Sequence, residues 1–176
     1  REIVRRDGGY TVRTDGGDIP ADWLIVACGG AAGAKLGGVM DGYELLKPLG
    51  HKRTKLFPSL VQITTEPEYP RALKGVRADA AVELVCGGEV LAESGGELQF
   101  TETGVSGPAA FDISRSVSSG GDGLSLRIDF LRGYGSGEVL TMLEARRSAL
   151  PGLESAELFT GMLHNRLGRM LEICRT

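Results

Sequence analysis

Short apolar runs punctuated by glycine set the pattern of this chain. Glu2-Ile3-Val4-Arg5-Arg6 and Tyr10-Thr11-Val12-Arg13-Thr14 alternate apolar and polar positions in the manner of half-buried strands. Asp7-Gly8-Gly9 and Asp15-Gly16-Gly17 follow them, a composition that closes tight hairpins. A third run, Trp23-Leu24-Ile25-Val26-Ala27, does not alternate, which predicts a strand covered on both faces, as in a parallel sheet. Residues 1–28 therefore read as a β meander feeding a buried strand.

Beyond a glycine-rich loop, the sequence predicts a short helix from Asp41 to Leu49, with Asp41 as N-cap and Gly50-His51 ending it. From Phe57 the character changes. "SLVQITT", "AAVELVC", "EVLAESG", "GELQFT" and "LSLRIDFL" are strand candidates at roughly 10–15 residue spacing, which suggests a small antiparallel barrel or sandwich. "GPAAFDISRSVSS", residues 107–119, reads as a helix with Pro108 in its first turn. In "GEVLTMLEARRSAL", Val139, Met142, Leu143 and Ala149-Leu150 share one side. Leu158, Phe159, Met162, Leu163, Leu167, Met170, Leu171 and Cys174 then step by three and four, a helical face that needs a partner. The expected class is α+β, with residues 1–55 forming part of an α/β domain. Residues 56–176 form a second region, with a β-barrel over 56–133 and helices over 134–176. The boundary between them falls near 52–58.

Composition narrows the function. In 176 residues, 41% hydrophobic and 24% charged content supports a core, while 27 glycines are about twice the usual share. The net charge of −3 comes from 20 basic and 23 acidic residues mixed along the chain, with no basic stripe. With 6% aromatics, nucleic acid is not the expected partner. No run approaches the roughly 18 apolar residues of a membrane span. Three scattered cysteines and two histidines form no CxxC or zinc spacing, so no metal site is expected, and a cytoplasmic location is the default. The start at "REIVRR", without Met, suggests a piece of something longer.

Five glycines lie between positions 29 and 38, directly after the third run. A buried strand ending in Gly29-Gly30 delivers bare backbone to the carboxyl edge of a sheet, where open α/β sheets bind ligands. Lacking Cβ atoms, these residues let a flat or anionic ligand approach closely, or they simply form a tight exit turn. The order Gly29-Gly30-Ala31-Ala32-Gly33 is not the GxGxxG dinucleotide fingerprint, and no other segment supplies that turn.

The succession Ala27-Cys28-Gly29-Gly30, Lys35-Leu36-Gly37-Gly38-Val39-Met40-Asp41-Gly42-Tyr43, Gly50-His51 and Phe57-Pro58-Ser59-Leu60-Val61 resembles the NAD(P)/FAD-dependent oxidoreductases of the BaiN and aminoacetone-oxidase type. "GGELQFTETGVSGPAAFDISR", residues 95–115, is similar to that family's most specific segment. The resemblance implies an internal portion of a FAD enzyme, with residues 1–55 part of its FAD-binding domain, residues 56–176 an inserted substrate-side domain, and the GxGxxG turn and a C-terminal FAD segment outside these residues. It further implies that Ala27, Cys28, Gly29 and Gly30 contact FAD through backbone atoms and that Asp41 touches the cofactor. NAD(P)H as reductant and a small organic substrate are also implied. Cys28 stands where Thr is usual, and Val39-Met40 replace Thr-Gly ahead of Asp41.

Other candidates have ordinary readings. His51 suits a helix C-terminus, or a proton donor on the substrate side. Ser106 in "GVSGP" departs from the GxSxG nucleophile elbow at Pro108 and reads as the cap of the following helix, with Thr101 and Gly104 shaping the turn. Trp23 reads as a sheet-packing residue, Cys86 as a buried strand residue and Cys174 as a helix-face residue. Arg146-Arg147, Arg166 and Arg169 read as solvated. No catalytic acid or base stands out. Two functions follow: part of a FAD-dependent oxidoreductase whose partner is the missing remainder of the FAD domain, or a non-catalytic structural or binding module.

Overall fold

A computed structural model describes residues 1–173, which divide into two compact units, Arg1–Leu56 and a second beginning at Phe57. In the first unit, β1 (Glu2–Arg6), β2 (Gly9–Thr14) and β3 (Gly17–Ala21) form an antiparallel meander. Arg6 faces Gly9 and Thr14 faces Gly17, so Asp7-Gly8 and Asp15-Gly16 are the two-residue turns their composition predicts. Pro20 is tolerated because β3 is an edge strand.

The third strand is displaced from its expected position. β2 begins at Gly9, and the register from Thr14↔Gly17 to Tyr10↔Ala21 uses it up before Trp23 is reached. Trp23–Ala27 thus lies outside any ladder, with Trp23 and Ile25 each 89% exposed and Leu24 and Val26 half-buried. One side of the run is wet, where coverage on both faces was expected. α1 (Asp41–Leu46) continues into a 3₁₀ turn, Lys47–Leu49, and Gly50 ends it at φ +89°. Met40 holds the N-cap position without a side-chain cap, and Asp41 is the first helical residue, which corrects the expected cap.

The second unit is built on a five-stranded antiparallel sheet in the order β4 (Ile63–Thr64), β7 (Gly104–Ser106), β6 (Glu89–Phe100), β5 (Arg77–Cys86), β8 (Leu124–Asp129). Two expected strands, "EVLAESG" and "GELQFT", are one. Gly95 and Gly96 pair with Ala81 and Ala80 inside β6 without breaking it, because its partner β5 is continuous there. "SLVQITT" yields only two strand residues, since β7 offers β4 only Val105 and Gly104 to pair with. The inward faces of these strands and the inner side of α3 (Pro108–Ser119) form the core, with Ala80, Val82, Leu84, Leu98, Val105, Ala109, Ala110 and Ile113 all buried. Burial of each large side chain stabilises by roughly 1.5–3 kcal/mol. Ser114 is also buried: its hydroxyl donates to the Phe111 carbonyl and accepts from the Val61 N–H.

The short α2 (Glu68–Ala72) precedes β5, and the helices α4 (Ser136–Ala149) and α5 (Asn165–Ile173) follow β8. Val139, Met142 and Leu143 of α4 are only half-buried, and Leu150 is exposed. The apolar series from Leu158 is not one helix. A 3₁₀ turn and an isolated Thr160↔Leu163 bridge precede α5, whose first turn hangs on His164: its carbonyl accepts from Leu167 and Gly168, and its Nδ1 accepts from the Arg166 N–H. Cys174 lies outside the described residues.

Candidate functional site

The residues singled out after the third run come together in the first unit. Gly29 is exposed at φ +77°, with open space where a side chain would stand. Gly30 is half-buried, and a Cβ there would lie 2.8 Å from the Tyr43 hydroxyl of α1. A Cβ on the buried Gly42 would lie 2.5 Å from the Cys28 sulfur, so the Cys28 thiol rests over the first turn of α1. Its side chain is thereby occupied, and what positions 28 and 29 offer outward is backbone. The Arg53 guanidinium sits 5.6 Å from the centre of the Tyr43 ring, a cation–π contact that steadies the ring behind Gly30.

Between these pieces, Ala31–Gly38 folds tightly on itself. The N–H groups of Leu36 and Gly38 both donate to the Gly33 carbonyl, and Gly33 and Gly37 take left-handed conformations. The segment makes only a 3₁₀ turn, Ala34–Leu36, in keeping with its glycine content. Asp41 is exposed beside this loop on α1. The arrangement is a bare-backbone ledge with a carboxylate nearby. Its open side at Gly29 presents backbone, and it contains no loop able to cradle a pyrophosphate. Among the described residues, no group of His, Cys, Asp and Glu side chains could hold a metal ion.

The second unit contains features the sequence did not reveal. The curled sheet encloses an open apolar cavity of about 480 Å³, lined by Leu84, Phe100, Val105, Leu124, Leu126 and Ile128 among others, with Thr64, Thr65, Glu66 and Ser125 at its polar places. The "GVSGP" junction is structural. Gly107, at φ +95°, is the helix N-cap, and a Cβ there would lie 2.7 Å from the Glu97 carbonyl oxygen. The expected cap by Ser106 is therefore wrong: Ser106 ends β7, and α3 starts from a residue with no side chain to offer. Arg166 is exposed, as expected of a solvated residue, and it also donates to the carbonyls of Ala72, the last residue of α2, and Lys74 in the turn that follows, which ties α5 to this turn. Cys86 is half-buried, because it is the last residue of β5.

Of the charged pairs on the surface of this unit, two hold a carboxyl below its ordinary range. Arg132 forms a bidentate pair with Asp79, 2.8 Å at both contacts, and its guanidinium lies where a Cβ on Gly95 would stand. The hydrogen bond from Arg132 holds the Asp79 carboxyl below its ordinary value, and the Lys74 ammonium does the same for Glu102. A carboxyl with a lowered folded-state pKa stabilises above its unfolded value, near 4, and loses that contribution as pH falls through the folded value. Asp79→Asn is therefore expected to lower the urea midpoint at neutral pH, and the gap from the parent should narrow as pH falls below about 4. An undiminished gap in acid would show that the pair acts through packing alone.

The fold is thus an α+β chain in which a glycine-ended meander precedes a curled antiparallel sheet with terminal helices. Residues 57–174 match the HI0933-like protein barrel and H2TH domain family. The chain belongs to that family, the BaiN-type flavoproteins. Over 169 residues, 94% of the chain, it is 36% identical to a 3-dehydro-bile acid delta(4,6)-reductase of Clostridium scindens. The chain spans 41% of that protein's length. Among the described residues, no helix is long and apolar enough to cross a membrane.

Proposed function

We propose that this chain is a portion of a FAD-dependent oxidoreductase, linked to NAD(P)H and acting on a small organic molecule. Residues 1–55 contribute part of the flavin domain, and 56–176 contribute the wall on the substrate side. The backbone of Ala27, Cys28, Gly29 and Gly30 lies against the cofactor, and the Asp41 carboxylate accepts from one of its hydroxyls. The flavin, when bound, supplies the hydride chemistry. The chain's own residues present hydrogen-bonding backbone at a place no side chain obstructs, and they shield one edge of the site from water. The observation that carries this reading is Gly29: exposed, left-handed and with nothing in the space where a Cβ would stand. The named activity of the Clostridium scindens relative, a reductase, supports the reaction class.

The non-catalytic alternative differs in what the 176 residues do alone. With no pyrophosphate cradle in its sequence, the isolated chain is expected to purify colourless and stay so after incubation with FAD. The polypeptide encoded by the complete reading frame is expected to carry flavin at close to one per chain, read from its visible absorption. A complete-frame protein that neither retains nor takes up flavin would sink the proposal. An isolated chain that binds FAD stoichiometrically would show that the ledge needs no help.

A further inference from the structure

We propose that the cavity of the second unit binds a small amphiphile, a molecule with an apolar body and a cationic, hydrogen-bond-donating head that the Glu66 carboxylate receives. The cavity, about 480 Å³, lies within the roughly 300–1,000 Å³ span of small-molecule sites. Ile63, Leu84, Phe100 and Val105 line it and are buried in the core, whose close packing holds them in place rather than leaving them free to fill the space. Leu124 and Leu126 of β8 line it too and are only half-buried, so they have apolar surface left to cover. Water against such walls finds few polar partners, and an apolar body that displaces it gains free energy.

The polar atoms decide the head. Among the described residues that line the cavity, Glu66 alone is charged; it is exposed, and its carboxylate only accepts hydrogen bonds. Two lining hydroxyls are committed the same way. Thr65 Oγ1 donates to the Glu66 carbonyl at 3.2 Å, and Ser125 Oγ donates to the Val85 carbonyl at 3.5 Å. Each spends its hydrogen on the chain and offers a guest only lone pairs. Such a set of acceptors suits an ammonium, which brings three donors, and disfavours a carboxylate, which brings none. Thr65 and Glu66 are neighbours in the chain, so one head group can reach both. The inference draws on the second unit alone and does not depend on the flavin reading.

Isothermal titration calorimetry on the complete-frame protein tests this, with decylammonium, decanol and decanoate as probes. Decylammonium is expected to bind with a negative heat-capacity change, the mark of apolar burial, and at least about tenfold more tightly than decanoate, with decanol between them. Glu66→Gln, at an exposed position, is expected to bring the three probes within about twofold of one another. Leu126→Trp, which fills the space without adding charge, is expected to abolish binding, with urea unfolding as the check that the variant is folded. If it does not fold, Glu66→Gln decides. Equal affinity of the parent protein for the three probes would overturn the proposal, because Glu66 would then select nothing. Binding that survives in a folded Leu126→Trp protein would overturn it by placing the guest elsewhere. So would no binding of any probe, which would mean that other chain or a second copy already fills the cavity.

Discussion

Replacing Gly104 with alanine is expected to detach β4 from β7 and to cost the protein roughly 3–5 kcal/mol, at the severe end for a single substitution. A Cβ at this position would lie 2.0 Å from the Ile63 carbonyl oxygen and 3.0 Å from the Thr64 Cα, both backbone atoms of the neighbouring strand. They cannot rotate away as a side chain can. The pairing is also short, Ile63↔Val105 and Thr64↔Gly104, with a further bond from the Thr65 N–H to the Thr103 carbonyl, so little ladder remains to hold β4 once one register position is pushed apart. Ile63 and Val105, buried in the core, would be uncovered together. Urea unfolding should show a lowered midpoint, with loss of amide protection first at Ile63–Thr65. Gly121→Ala is the control: it is left-handed, at φ +80°, and faces open space, so only the conformational cost of about 1 kcal/mol applies. Equal effects at the two positions would show that contact with β4 does not dominate at Gly104.

This result bears on what a one-dimensional pattern reveals. The hairpins of the first unit were legible because their cause is local: Asp-Gly pairs fit two-residue turns wherever they occur between alternating runs. α3 was legible through Pro108, and the end of α1 through Gly50. Pairing is not local. Trp23–Ala27 has a strand's composition, but the length of β2 decides that Ala21 is the last residue with a partner. Gly95-Gly96 has a turn's composition, but β5 continues past it and carries β6 through, while the missing side chain on Gly95 leaves room for Arg132. The helical spacing after Leu158 is broken for a related reason: the bridge Thr160↔Leu163 and the His164 cap settle where α5 begins.

The candidate site was legible as a segment but not as a geometry. Consecutive glycines after an apolar run announced close approach, and the approaching groups turn out to be the Tyr43 hydroxyl at Gly30 and the Cys28 sulfur at Gly42. Nothing in the spacing indicated that Cys28 would turn toward α1, which explains how Cys can stand where Thr is usual if the outward contact is made by backbone. The role of Arg166 was hidden because its acceptors are carbonyls more than ninety positions earlier in the chain. The cavity was hidden because its walls come from five separate strands.

Gly38→Ala is expected to have the largest effect in the first unit, and it links the glycine loop to the proposed cofactor. A Cβ at Gly38 would lie 1.9 Å from the Ala32 carbonyl oxygen and 3.0 Å from that of Gly30, so Ala31–Gly38 could not keep its closed form. The bond from the Gly38 N–H to the Gly33 carbonyl would be lost with it. The loop can relieve the clash only by swinging away, and because Gly30 is part of the crowded surface, the ledge must move too. In the 176-residue chain this should appear as roughly 3 kcal/mol of lost protection at amides of the first unit. In the complete-frame protein, flavin should be held at least about tenfold more weakly, equivalent to about 1.4 kcal/mol. Gly37→Ala separates geometry from glycine content, since Gly37 is left-handed with nothing near its Cβ position and should cost about 1 kcal/mol while leaving flavin affinity intact. A Gly38→Ala protein with a loosened first unit but unchanged flavin affinity would confirm the packing of the loop and place the cofactor elsewhere, because a ledge that moves without consequence is not a binding surface.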